Sequence, residues 1–291
     1  MIALTIGLAV LVGVSLGLLG GGGSILTVPL LAYVAGLDAK QAIATSLLVV
    51  GVTSAVGAIS HARAGHVQWR TGLVFGAAGM AGAYGGGLVA RFIPGSVLLI
   101  GFAVIMIATA VAMLRGRKEL DSDGGDRPLP IVKIVLEGLV VGLVTGLVGA
   151  GGGFLVVPAL ALLGGLPMPL AVGTSLVVIA MKSFAGLAGY LSSVQIDWAL
   201  AGAVTAAALA GALVGARLTS RVNPDALRKA FGWFVLAMSS VILAQEVHPA
   251  LGAAAAVATV VAGAVTFACS RYANCPLRRH TTRVGAAAAP S

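Results

Sequence analysis

Long apolar runs separated by short polar breaks occupy most of the chain. The runs fall at 2–19, 24–36, 41–62, 70–91, 95–115, 131–148, 154–166, 170–193, 197–218, 225–244 and 249–269. A helix needs about 20 apolar residues to cross the hydrocarbon core of a bilayer, and most of the runs reach that length. The pattern predicts an all-α protein, a polytopic bundle of membrane helices.

Two runs, 24–36 and 154–166, are too short for a comfortable crossing, and each follows a cluster of glycines. The clusters are Gly20, Gly21, Gly22 and Gly23 before the first run, and Gly149, Gly151, Gly152 and Gly153 before the second. Irregular backbone inside a bilayer is tolerated only where protein or a water-filled cavity satisfies it. We therefore expect two glycine-broken short helices beside an internal site. The spacing leaves open whether they cross fully or re-enter.

The two halves of the chain carry one pattern. A shift of 129 positions places Gly17 on Gly146, Gly20 on Gly149, Pro29 on Pro158, Gly36 on Gly165, Ala42 on Ala171, Gly57 on Gly186, Trp69 on Trp198, Gly82 on Gly211 and Gly86 on Gly215. A shift of 130 then aligns Arg91 with Arg221 and Pro94 with Pro224. One offset maintained over such a length indicates an internal duplication.

Each copy holds five apolar runs, an odd number, so the copies are predicted to insert with opposite topology. Basic residues favour the cytoplasmic side. They cluster in the linker, near Arg63 and Arg70, around 217–229 and in the tail, while Arg91 is the single misfit. The prediction is an N-out, C-in inverted repeat. Its parts are a first repeat at 1–115, a cytoplasmic linker at 116–130, a second repeat at 131–245, and an extra transmembrane helix with a basic tail at 246–291.

Composition supports a membrane location. Hydrophobic residues make up 59% of the chain and charged residues 9%, whereas soluble domains carry about 25% charged residues. The net charge of +9 lies in clusters between apolar runs, which argues against a nucleic-acid partner. We expect a multi-pass protein of the inner (plasma) membrane, with the lipid bilayer as its partner; oligomeric state is not readable.

Two features point to a negatively charged substrate. Ser24 follows the first glycine cluster and is placed to cap the short helix, whose start carries roughly half a positive charge. Lys182 lies near the middle of run 170–193, and an intramembrane charge indicates a functional site by default. The alternative for Lys182 is an ion pair or carbonyl contact that only braces the bundle.

Hydroxyl side chains form two equivalent pairs, Thr45 with Ser46 and Thr174 with Ser175. Hydroxyls can hydrogen-bond an oxyanion, although in membrane helices they often bond their own backbone. The duplication places both pairs symmetrically, which favours a substrate contact. His61, beside Arg63 at a helix end, is interpreted as interfacial.

No set of residues has a catalytic arrangement. The sequence contains no grouping of nucleophile, base and acid, no His-Glu-x-x-His motif and no cluster of metal ligands. Cys269 and Cys275 are too few for a zinc site or a disulfide framework. We predict that the protein is not an enzyme and uses neither cofactor nor metal.

The duplicated segments resemble a known family. GLLGGGGSILTVP at 17–29 and GLVGAGGGFLVVP at 146–158, followed by AIATSL at 42–47 and AVGTSL at 171–176, are similar to the signature of the TauE/SafE family. The resemblance covers residues 1 to about 245. It implies transport, in the direction of efflux, of sulfite, an organosulfonate or a related sulfur-containing anion.

The resulting prediction is a secondary transporter of a small anion that works by alternating access. Uptake of such an anion, and a non-transporting scaffold subunit, are the alternatives. The scaffold alternative leaves the glycine breaks and Lys182 unexplained. The coupling ion stays open.

Overall fold

The computed structural model describes residues 2–19, 24–115, 131–149, 168–218 and 224–247, with isolated positions at 156, 160 and within 254–259. Within these ranges the protein forms helices and no strand, which confirms the predicted all-α class. The helices are α1 Ile2–Leu19, α2 Thr27–Pro29 (continued by a π-helical turn, Leu30–Val34), α3 Ala39–Arg63, α4 Trp69–Ala90, α5 Gly95–Arg115, α6 Ile131–Val148, α7 Met168–Leu191, α8 Trp198–Leu218 and α9 Pro224–Glu246.

The helix bounds follow the predicted apolar runs to within about two residues. Among the described residues, four helical stretches are both long and apolar enough to cross a membrane: Ala39–Arg63, Trp69–Ala90, Leu170–Leu191 and Trp198–Leu218. Their large apolar side chains face outward, as Leu73, Leu213 and Val214 do, while hydroxyl groups lie inside. Such an exterior fits a hydrocarbon environment because lipid needs no polar surface.

Local chemistry sets several helix ends. Gly36 and Gly65, with φ of 72° and 73°, occupy the left-handed region just after α2 and α3, where glycine alone carries no steric penalty. At the start of α8, the Asp197 carboxylate accepts hydrogen bonds from the amides of Ala199 and Leu200, at 3.0 and 3.1 Å. This cap satisfies two donors that a helix start leaves unpaired.

Glycines bring several described helices together backbone to backbone, and two of these pairs are α1 with α8 and α4 with α6. A Cβ built on Gly13 of α1 would collide with the backbone of Ala208 in α8, and one on Gly17 would collide with Ala212. In the second pair, a Cβ on Gly142 of α6 would collide with Gly79 of α4, and one on Gly146 with Ala83. Positions rise together in both pairs, so the paired helices run parallel. Small residues permit this close approach.

The contacts of the two pairs are related by the 129-residue shift. The shift carries Gly13 to Gly142 and Gly79 to Ala208, so each contact in one pair has a counterpart in the other. The first helix of each half thus packs on the fourth helix of the other half.

The equivalent helices α3 and α7 pack against each other in opposite directions. A Cβ on Gly57 would lie 3.4 Å from Leu176 Cδ1, and one on Gly186 would lie 3.3 Å from Leu47 Cδ1. Rising numbers in α3 meet falling numbers in α7. The 129-residue shift also interchanges these two contacts, because it carries Leu47 to Leu176 and Gly57 to Gly186.

Several predicted features lie outside the described residues. They are Gly20, Gly21, Gly22, Gly23, Gly151, Gly152, Gly153, the linker 116–130, nearly all of run 154–166 and most of the segment 246–291. The first short helical stretch is described, and Ser24–Val34 agrees with the predicted run 24–36.

Candidate functional site

Lys182 is the only charged side chain among the buried residues of the described structure, with 1% of its surface exposed. It lies in the middle third of α7. Its stem runs beside α4, since a Cβ on Gly79 would be 3.9 Å from Lys182 Cβ and 4.0 Å from Lys182 Cδ. Its Nζ has no hydrogen-bond partner among the described residues. A buried ammonium without a partner is costly, so the arrangement calls for a counter-ion.

The contacts of α7 with α3 place Lys182 deep in the bundle. Phe184, two residues further along α7, contacts Gly51, where an added Cβ would lie 3.2 Å from the ring. Gly51 is the central residue of α3. Lys182 therefore lies at the level of the middle of α3, far from both ends of the helices.

Ser183, adjacent to Lys182, is a second buried polar group that lacks a partner. It is 1% exposed, and its Oγ has no hydrogen bond to the described residues. Sequence reasoning missed this residue; its position beside the intramembrane lysine was the available signal. The duplication does not repeat the arrangement, because Thr53, equivalent to Lys182, bonds the carbonyls of Val49 and Val50 at 2.8 and 3.2 Å.

The hydroxyl pair on α3 reaches the start of the second glycine cluster. Ser46 Oγ donates to the carbonyl oxygen of Gly149 at 2.9 Å, and Thr45 beside it is 2% exposed. Gly149 has φ of 74° and packs against Ile43. Its amide bonds the carbonyl of Thr145 at 2.9 Å. The serine therefore ties α3 to the turn that ends α6.

The hydroxyl pair on α7 lies two helical turns before Lys182. Thr174 Oγ1 accepts a hydrogen bond from the amide of Gln68 at 2.9 Å, and Ser175 Oγ donates to the carbonyl of Val172 at 2.7 Å. Eight residues of helix span about 12 Å along the axis, so Thr174 and Lys182 are well separated. The hydroxyl pairs and the lysine are spread along the inside of the bundle.

The first short helical stretch also carries buried hydroxyls. Ser24 is fully buried and opens a 3₁₀ turn, 24–26, that leads directly into α2. Thr27, one turn later, is 1% exposed, and its Oγ1 has no partner among the described residues. Ser24 was predicted to cap the short helix, but the residue before α2 is Leu26, which makes no side-chain capping bond. Thr27 was not singled out from the sequence.

Comparison with known proteins decides the family. Residues 5–242 match the family model described as "Sulfite exporter TauE/SafE". The chain belongs to the TauE/SafE family. The expected resemblance is confirmed, and the protein is a membrane transporter.

Several relatives carry a corresponding description. A "Probable membrane transporter protein" of Xylella fastidiosa is 33% identical over 246 residues, covering 82% of this chain and 94% of the relative. Proteins described in the same words from Methanocaldococcus jannaschii and Bacillus subtilis are 32% and 27% identical. They cover 64% and 76% of this chain, and 72% and 91% of the relatives. No solved structure matches the chain.

One end of this TauE/SafE transporter contains a polar vestibule of about 650 Å³. It lies where α2, α7 and α9 end and where α3 and α5 begin. Its polar lining consists of Tyr33, Asp38, Lys40, Gln41, Ser193, Gln195 and Glu246. Two hydrogen bonds cross this end: Tyr33 Oη donates to Glu246 Oε1 at 3.1 Å, and Lys40 Nζ donates to the carbonyl of Arg91 at 3.0 Å.

No cluster of side chains that could hold a metal ion occurs in the part of the chain that the structure describes. No group of three or more His, Cys, Asp and Glu side chains is present there. His61 pairs with His66, with ring centroids 6.0 Å apart and ring planes tilted by 49°. The family and the names of the relatives indicate a transporter and not an enzyme.

Proposed function

We propose that this transporter moves a small sulfur-containing anion, such as sulfite or an organosulfonate, out of the cell across the inner membrane. The observation that carries the proposal is Lys182, a fully buried cation at mid-bundle whose Nζ lacks a hydrogen-bond partner among the described residues. An intramembrane cation that faces the bundle interior marks an ion path. A passing anion supplies the missing counter-charge.

The size of the substrate follows from the surroundings of Lys182. Gly79 brings no side chain against the lysine stem on α4, and the hydroxyl of Ser183, the next residue of α7, also lacks a partner among the described residues. The close approach of α4 to α7 at this level favours a small oxyanion over a large organic anion. The family description names sulfite, which has this size and charge.

We propose alternating access between two inverted repeats, 1–115 and 131–245. The antiparallel packing of α3 on α7, two equivalent helices, supports opposite orientations of the halves. The exchanged contacts of α1 with α8 and of α4 with α6 support a two-fold relation. Transporters of this architecture bind substrate near the bilayer midplane, beside broken helices. The glycine clusters and the pairs Thr45–Ser46 and Thr174–Ser175 are proposed to line that path.

We further propose that the vestibule opens to the outside and that the linker and tail are cytoplasmic. Gly95, Gln195 and Glu246 line the vestibule. They belong to the segments around 92–95, 194–197 and 245–248, which hold no Lys or Arg and which the N-out, C-in topology predicts to be external. Lys40 lies beside Arg91 at this end, so it is a second basic residue that departs from the positive-inside pattern. Impermeant thiol labelling of intact cells tests the orientation in a background lacking Cys269 and Cys275. Gln195→Cys should be labelled and Gln68→Cys protected; the reverse result contradicts it.

Export is the direction that the membrane potential favours. An inside-negative potential contributes about 2.3 kcal/mol per charge per 100 mV to the exit of an anion. An exporter therefore needs no coupling ion, whereas uptake requires one.

The test is flux of radiolabelled sulfite and taurine in vesicles of both orientations containing the purified protein. Wild type should carry at least one of these substrates, faster in the export direction, and Lys182→Met should reduce flux at least tenfold. The matched control is Thr205→Val, which removes a hydroxyl that bonds its own helix at Ala201. Flux only in the import direction would favour an uptake permease. No flux would favour a scaffold subunit.

A further inference from the structure

The end of α6 is held by two side chains from two other helices. Tyr190 of α7 donates its hydroxyl to the carbonyl of Leu147 at 2.6 Å, and Ser46 of α3 donates to the carbonyl of Gly149 at 2.9 Å. Tyr190 and Ser46 are 1% and 0% exposed. Carbonyls at a helix end lack intrahelical partners, so these bonds satisfy them and fix the position of the turn.

The duplication predicts the same arrangement at the other end of the bundle. The 129-residue shift carries Tyr190 to His61, Ser46 to Ser175 and Leu147 to Leu18. The equivalent of Gly149 is Gly20, which lies outside the described residues. If the two halves had the same conformation, His61 and Ser175 would hold the end of α1.

The described residues do not make these equivalent bonds. His61 Nδ1 is buried and has no hydrogen-bond partner there, and Ser175 bonds the carbonyl of Val172 in its own helix. One end of the bundle is therefore held by two cross-helix hydrogen bonds. At the symmetry-related end, Ser175 bonds its own helix and His61 Nδ1 has no partner among the described residues.

We propose that Tyr190 and Ser46 form a releasable latch whose symmetry-related counterpart, His61 with Ser175, closes when this one opens. Tyr190 and Ser46 are positioning residues that set which end of the transporter is closed. The inference rests on the proposed inverted repeat and alternating access. In such a design the two halves exchange conformations during the cycle, so a contact present in one half is expected to appear in the other half in the opposite state.

The position of the latch relative to the vestibule supports a gating role. Gln41 and Gln195 line the vestibule. Ser46 lies five residues deeper along α3 than Gln41. Tyr190, near the end of α7, lies five residues before Gln195, which follows that helix. The latch therefore lies just inside the vestibule, between it and the level of Lys182. Closing the latch blocks the path from the vestibule inward.

Paired cysteine reporters test the latch without any substrate. Val49 of α3, three residues deeper than Ser46, and its equivalent, Val178 of α7, are both 0% exposed and suit single Val→Cys changes in a Cys269→Ala, Cys275→Ala background. The full chain is placed in lipid nanodiscs, and the rate of reaction with a charged methanethiosulfonate is measured. Tyr190→Phe and Ser46→Ala should each raise the rate at Val49→Cys about fivefold, the population change expected from loss of one hydrogen bond.

The two reporters separate gating from general loosening. The rate at Val178→Cys should not rise in Tyr190→Phe, and His61→Phe should leave the rate at Val49→Cys unchanged or lower. Unchanged rates at Val49→Cys in both latch variants, or a rise at both reporters, would overturn the latch. Because labelling needs no anion, this outcome is independent of the flux assay: transport could be absent with a working latch, or present without one.

Discussion

Lys182 of α7 lies with its stem against Gly79 of α4, where the absence of a side chain leaves the lysine its space. A Cβ at position 79 would lie 3.9 Å from Lys182 Cβ and 3.6 Å from the carbonyl oxygen of Gly138, which are ordinary contact distances. We therefore expect Gly79→Ala to fold and transport normally. Gly79→Leu should crowd the lysine stem, displace the amine and reduce anion flux at least tenfold in the vesicle assay. Equal flux in both variants would contradict this placement.

Lys182→Met is expected to raise stability while it removes function. Methionine keeps much of the lysine stem and removes an unpaired buried charge, whose burial costs on the order of several kcal/mol. The measurement is the midpoint of thermal unfolding in detergent with and without sulfite. Wild type should gain stability with sulfite because the ligand binds the folded state, whereas Lys182→Met should start at or above wild type and not respond. An equal rise of the unfolding midpoint with sulfite in both proteins would show that Lys182 does not bind the anion.

Gly142→Ala should destabilise the protein because it forces α6 away from α4. Its Cβ would collide with the backbone of Gly79, and overpacking of this kind costs about 1–3 kcal/mol. Gly13→Ala, the equivalent change in α1, should cost a similar amount through Ala208. The control is Gly7→Ala, whose Cβ would have nothing within 4 Å. Thermal unfolding midpoints distinguish these variants, and equal midpoints for all three would contradict the close helix pairs.

Gly149→Ala and Gly36→Ala separate backbone strain from crowding. Both glycines have a positive φ, 74° and 72°, so alanine costs about 1 kcal/mol at either position. Only at Gly149 would the added Cβ also collide with Ile43; at Gly36 nothing lies within 4 Å. Gly149→Ala should therefore lower the unfolding midpoint more than Gly36→Ala. The opposite order would show that the turn at Gly149 can relax.

Much of the fold was readable from the chain because a bilayer leaves few choices. Backbone groups in lipid must bond within their own segment, so each apolar run becomes a helix whose ends follow the run. The bounds of α5 at 95–115 and α6 at 131–148 agree with the predicted runs for this reason. The duplicated glycines were equally visible, and so was Lys182, because a charge inside an apolar run is conspicuous in sequence.

Only the tertiary structure decided which helices pack against each other. Hydropathy does not state which helix packs on which, so the crossed pairing of α1 with α8 and of α4 with α6 was not predictable. The hydrogen-bond partners of the hydroxyls were equally unpredictable from sequence. Ser46 bonds Gly149 of another segment, whereas Ser175, its counterpart in the duplication, bonds its own helix. A hydroxyl takes whichever acceptor lies nearest, and distance between distant segments is a property of packing. Sequence alone determined the helices, their duplication and the buried charge; packing decided which groups around that charge have partners.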